Sequence, residues 1–244
     1  MTESTVSVKP KEQQGFFEDL IDIFVSPVGV FERAQHRSVW PPLLFVSLAI
    51  GIIFFVTFNT LEPIFDAEFQ RNMAQAAAKA GRPMPPEALE NARKFGLGFT
   101  RYGISLVMFV SVLVLGLVAW IVGKLVGSKQ TLHAAMVVAA WSYMPRVLGA
   151  VLAGVQGLVL DSSTMPSQFA ISLVPARFFD PEKTNALLLQ VLGRFDLLVI
   201  WETVLLAIGL YVTGKVSTGR AVAFGFLVWI VGSLPMIRAG LMAM

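Results

Sequence analysis

Hydrophobic positions along the 244-residue chain gather into five long runs, roughly residues 41–60, 103–126, 132–160, 195–213 and 221–242. Each run approaches or exceeds the ~20 residues that a helix needs to cross ~30 Å of hydrocarbon. The polar stretches between them leave no soluble core of comparable size. The pattern therefore predicts an all-α fold, a polytopic transmembrane helical bundle with five membrane spans in a lipid bilayer.

Ahead of the first run the chain changes character twice. Residues 1–15, MTESTVSVKPKEQQG, are polar and expected to be disordered, and without an apolar h-region they do not read as a cleavable signal peptide. Residues 16–40 read as short amphipathic helices on the cytoplasmic side: Phe16, Phe17, Leu20, Ile21 and Phe24 recur at helical spacing, while Glu18, Asp19 and Asp22 take the opposite face. Ser26-Pro27 suits the cap and first position of a second short helix running to about Arg37. The five apolar residues form a candidate partner or membrane-surface face. The plainer alternative is a segment that packs against the underside of the bundle, and the acidic face argues against strong attraction to anionic lipid.

Trp40 and Pro41-Pro42 mark a water–lipid boundary, and Glu62-Pro63 is expected to close the first span. The 42 residues from Leu61 to Tyr102 then read as a helical hairpin outside the bilayer, broken at Arg82-Pro83-Met84-Pro85-Pro86. Its six cations and five acids nearly cancel, as on a solvated helical surface. Spans two and three are joined by a tight GSKQT turn, which makes them antiparallel neighbours. Lys124 and Lys129 flank that turn without an acid, and Lys215 and Arg220 do the same after span four, whereas the 161–194 segment mixes both signs. By the excess of cations in cytoplasmic loops, the N-terminus lies inside and the C-terminus outside.

Composition narrows the chemistry. Hydrophobic residues make up 55% of the chain and charged ones 14%. Zero cysteines rule out disulfides, thiolate metal sites and a cysteine nucleophile. A net charge of +3 follows from topology in such a chain, so no nucleic-acid partner is expected. An ionisable residue inside a span costs at least ~2.5–3.5 kcal/mol, which singles out Arg146 in span three and Asp196 and Glu202 in span four. Pro145 precedes Arg146, removes a backbone hydrogen bond and kinks the helix, leaving carbonyls for polar groups to satisfy. Asp196 and Glu202 are six residues apart and fall on different helix faces, so Glu202 is the better partner for Arg146. Such a couple either binds a polar head group or relays protons, or it is a structural ion pair that fixes helix packing. His36 and His133 have no ligand-spaced companion, and no serine has a base nearby, so neither a metal, a cofactor nor an enzymatic activity is signalled. Gly123 with Gly127, Gly149 with Ala153 and Ala150 with Gly154 offer small-residue faces for close packing within one bundle.

Several marks together resemble a known family: the Ser26-Pro27 break with Phe31 four residues later, Trp40-Pro41 opening the first span, the proline in WSYMPRVLG, and RFDLLVIWETVLLAIGLYVTGKVSTGRAVAF with Asp196, Trp201 and Gly209. The chain is similar to the Yip1 family, bacterial branch, from Phe16 to Met244. That resemblance implies a five-span protein with a cytoplasmic N-terminus and a short exterior C-terminus. Eukaryotic members are implicated in Rab GTPase binding and vesicle traffic, partners that a bacterium lacks. The expectation is a non-enzymatic membrane-organising or partner-binding factor of a bacterial cytoplasmic membrane, its partner a membrane or cytoplasmic protein or, as a homo-oligomer, a second copy. The rival expectation is a small transporter, channel or lipid-handling protein built on Arg146 and Glu202.

Overall fold

The computed structural model describes residues 15–161, 165 and 167–242; the stretch expected to be disordered lies, but for its last residue, outside them. Among these residues nine α-helices follow in order: α1 (Phe16–Val25), α2 (Pro27–Ala34), α3 (Trp40–Ala80), α4 (Pro86–Leu125), α5 (Leu132–Ser142), α6 (Met144–Val159), α7 (Ala186–Gly193), α8 (Leu197–Gly214) and α9 (Thr218–Met242). Among the described residues no strand forms, and five stretches are long and apolar enough to cross a membrane: α3, α4, α5 with α6, α8, and α9.

Helix α5 is the centre. Eight of its residues, from Ala134 to Ser142, are buried, and its alanines let neighbours approach closely. A Cβ on Gly209 of α8 would collide with Val138, and one on Gly116 of α4 with Met136. Around α5 a single core joins Phe31 of α2, Leu43 and Val46 of α3, Leu205, Leu206 and Leu210 of α8 and Phe224 of α9. Where the far end of α6 meets the middle of α3, Gly154 packs on Thr57 and Gly157 on Leu61, so the Ala150–Gly154 face is used inside the bundle. Gly123 and Gly127 form no such face: Gly123 meets Leu210, whereas Gly127 turns the chain with φ +81°.

The two ends of the bundle differ. At one end the α4–α5 turn docks on the α8–α9 turn: the Lys129 N–H donates to the Gly214 carbonyl at 3.1 Å, and Gln130 Nε2 donates to Thr213 Oγ1. Lys124 Nζ holds the turn by donating to the Gln130 carbonyl at 2.9 Å. At the opposite end α3 and α4 project as a hairpin.

That hairpin is built differently from the expectation. Glu62-Pro63 does not end the helix: α3 runs unbroken through Pro63 for 41 residues to Ala80, and α4 runs for 40 residues from Pro86. A proline inside a helix costs ~3 kcal/mol when nothing compensates. Here Leu61 and Ile64 on either side of it are fully buried against Ala153, Met165 and Ile171, and that packing overrides the breaker. Helix α3 ends instead at Gly81, whose left-handed φ of +67° lets the chain turn. The 20 residues beyond Thr60 carry α3 about 30 Å past the apolar run.

Span three is broken into α5 and α6 at Tyr143, with Pro145 in the first turn of α6, where its missing N–H is tolerated. The 161–194 segment, noted in the sequence for its mixed charges, also holds the apolar helix α7, which packs along the C-terminal half of α9, where Gly240 lies against Leu187.

Candidate functional site

The charged residues singled out by sequence come to the hairpin end of the bundle. Arg146 sits in the first turn of α6, just past the break. Its Nε donates to Glu202 Oε2 at 2.5 Å, and its guanidinium lies 4.8 Å from the ring of Tyr143. Glu202 is buried on α8, and the pair ties α6 to α8 across the break. An anion buried at this depth needs such a partner, because one left alone in hydrocarbon would not be retained as a charge.

Asp196 plays another part. It is the residue immediately before α8, not a mid-span charge, and its Oδ1 accepts from the N–H groups of Leu198 at 2.7 Å and Val199 at 3.3 Å. An aspartate ahead of an apolar run satisfies N–H groups that the first helical turn leaves unpaired. Pro145 is buried and contributes by setting the break that turns Arg146 toward α8.

A cavity of about 240 Å³ opens beside these residues, between α3, α4, α6 and the start of α8. Arg146 and Asp196 both line it, together with Gln168 and Ser172 from the segment that roofs it. The roof is held at two points. Gln156 of α6 donates to the Ile171 carbonyl at 3.1 Å and accepts from Arg177 at 3.2 Å, and the Gln168 N–H donates to Glu68 of α3 at 2.9 Å. The remaining walls are apolar, among them Ile50, Phe54, Met108 and Leu198.

Sequence reasoning missed Arg194. It precedes α8, yet it reaches α9, where its Nε donates to Ser233 Oγ at 2.8 Å, its Nη2 donates to the Trp229 carbonyl at 3.1 Å, and its guanidinium stacks 5.5 Å from the Trp229 ring. Gly232 clears the room, since a Cβ there would meet Nη2 at 2.8 Å. The signal available was a cation two residues before a capping aspartate at the edge of an apolar run. Among the described residues no three His, Asp or Glu side chains come together as a metal-ligand group.

The expected face on α1 divides in two. Phe16, Leu20 and Phe24 turn inward, with Phe16 against Phe45 and Trp141, while Phe17 and Ile21 face outward in a row with Val25. Phe17 is 78% exposed. Asp19 is not a surface acid either. It is fully buried and binds both Arg33 and Arg37, and Arg33 also holds Asp22 at 3.0 Å. Two of the three acids on that face, Asp19 and Asp22, are thus paired with arginines that follow them in the chain, and Glu18 remains exposed.

The hairpin presents the opposite picture. Its root is pinned by Arg93 of α4, which donates to Asp66 of α3 at 2.6 Å, and residues 78–91 are all exposed. Phe95, Phe99 and Tyr102 form an exposed row along α4, with Phe95 and Phe99 stacked at 6.2 Å.

Comparison with known proteins agrees with this architecture. No solved structure matches the chain. It is similar to the "Membrane protein YknW" of Bacillus subtilis (strain 168), 25% identical over 218 residues that cover 86% of each chain. A profile of the Yip1 domain matches residues 21–238, from within α1 to near the end of α9. The chain belongs to the Yip1 domain family.

Proposed function

We propose that this protein is a non-enzymatic partner-binding factor of a bacterial cytoplasmic membrane, and that it holds a membrane-protein partner with the hairpin face of Phe95, Phe99 and Tyr102. The observation that carries the reading is the aromatic row on α4. Phe95 is 75% exposed and stands eight residues, about 12 Å of helix, before the apolar run that opens at Gly103, which in this reading puts it beyond the lipid. Exposed aromatic rows rimmed by polar residues mark binding faces, and large aromatic side chains dominate the energetics of such interfaces. In this reading the lysine-bearing turns face the cytoplasm and the hairpin stands outside. The outward row of α1, Phe17 with Ile21 and Val25, sits in the cytoplasmic leaflet.

Because the chain has no cysteine, single substitutions give unambiguous labels. A Phe95→Cys variant carrying a photo-crosslinker is expected to capture one partner protein in whole cells. Capture of a second copy alone would make the hairpin a homo-oligomer contact, and capture of nothing would remove the binding reading. For sidedness, Ala78→Cys is expected to react with an impermeant maleimide in intact cells and Lys129→Cys only after lysis. The reverse pattern would invert the topology.

A further inference from the structure

The cavity beside Arg146 has a feature that the ion pair with Glu202 does not explain. Glu202 takes only the Nε proton, and among the described residues neither terminal amino group of the Arg146 guanidinium has a protein hydrogen-bond partner. The side chain keeps 33% of its surface open, and it lines the cavity. Across the same space Asp196 spends Oδ1 on the α8 cap, while Oδ2 has no hydrogen bond among the described residues. One cavity therefore offers two free cationic donors and one free anionic acceptor, with the neutral groups of Gln168 and Ser172 in its roof.

We infer that this cavity binds the zwitterionic head group of a phospholipid, its phosphate on the Arg146 terminal amines and its primary ammonium on Asp196 Oδ2. A planar guanidinium fits two phosphate oxygens at once, and both contacts are charge-assisted. The volume of about 240 Å³ lies below the ~300–1,000 Å³ of sites for drug-sized ligands, which suits a head group and not a whole lipid. Ile50, Phe54 and Met108 provide an apolar wall along which acyl chains continue into the bilayer. The matching ligand is phosphatidylethanolamine. Phosphatidylcholine has the same phosphate but a quaternary ammonium with no N–H to donate, and phosphatidylglycerol has no cation for Asp196.

The test is native mass spectrometry of the full chain released from nanodiscs holding the three lipids in equal amounts. The expected result is retention of phosphatidylethanolamine about tenfold over each of the others, the size of one charge-assisted hydrogen bond. Asp196→Asn keeps the helix cap, because asparagine caps as well as aspartate. It is expected to bring phosphatidylethanolamine and phosphatidylglycerol to about equal retention. Arg146→Gln alone would strand buried Glu202, so the Arg146→Gln/Glu202→Gln pair, which is neutral on both sides, is the variant expected to lose bound phospholipid altogether. Equal retention of the three lipids by the unaltered protein would overturn the inference, and so would unchanged selectivity in Asp196→Asn. Competition with free phosphoethanolamine separates the sources. Displacement supports a site that recognises the head group alone, and selective retention that resists it supports one that also needs the acyl chains.

Discussion

Two helical hairpins flank the first apolar run: α1–α2 ahead of it, and the projecting arms of α3 and α4 after it. Both carry aromatic residues and charges of both signs; the sequence left open whether the first packs on the bundle and led to the expectation that the second stands outside the bilayer. In α1–α2 the central acid faces inward. Asp19, fully buried, holds Arg33 and Arg37, while Ile23, Val30 and Phe31 enter the main core. In the α3–α4 arms the ion pair of Asp66 with Arg93 joins the two helices at the root, Glu68 just beyond it accepts from the roof segment, and the charges at Lys79, Arg82, Glu87 and Glu90 are exposed. The difference teaches that a charge pattern does not say whether a hairpin docks. What decides is whether the apolar residues beside the charges find a matching surface: α8 offers one to α2, whereas residues 78–91 at the tip of the arms stay exposed.

Substitutions can break this contrast. The largest effect is expected from Phe31→Ala, which empties a fully buried site and should cost about 3–5 kcal/mol in detergent unfolding, while Phe95→Ala on the arms stays within about 0.5 kcal/mol. Next comes Asp19→Asn, which leaves two arginines facing a neutral amide. Breaking a buried pair costs ~3–5 kcal/mol, and since Arg33 and Arg37 keep part of their surface in solvent about 2–3 kcal/mol is expected here. Asp66→Asn at the partly exposed root pair should cost no more than about 1 kcal/mol by the same measurement. Smallest of all is replacement of residues 72–91 by a short Gly/Ser turn, expected to leave the melting temperature of the bundle unchanged. A large loss there would show the arms to be part of the folding unit and the contrast to be false.

Much of the architecture was legible before any coordinates. The five apolar runs, the restart at Ser26-Pro27, the boundary at Trp40 and the tight turn after Lys124 are local signals; the structure puts a helix through every run and a helix end at Ser26-Pro27, at Trp40 and at the turn, while α3 and α4 run on beyond the apolar runs they contain. What was not legible depends on contacts far apart in the chain. Pro63 reads as a stop, and only the burial of Leu61 and Ile64 against α6 and the roof segment carries the helix through it. Asp196 could have been read as a cap, since an aspartate immediately before LLVIW is a helix start signal; the weight given to charges inside apolar runs hid it. The pairing of Arg146 with Glu202 could be anticipated from the cost of isolated charges in a membrane. The attachment of Arg194 to Trp229 and Ser233 could not, because nothing near Arg194 in sequence announces α9 as its neighbour.

The unbroken passage of α3 through Pro63 makes the first span and its projecting arm one rod, fixed near its middle and free at its tip. A rod about 30 Å long beyond the apolar run, tilted by ~10°, swings its tip by ~5 Å. Spans tilt in answer to bilayer thickness, and a rigid continuation of a span magnifies at its tip whatever tilt the span takes at its base.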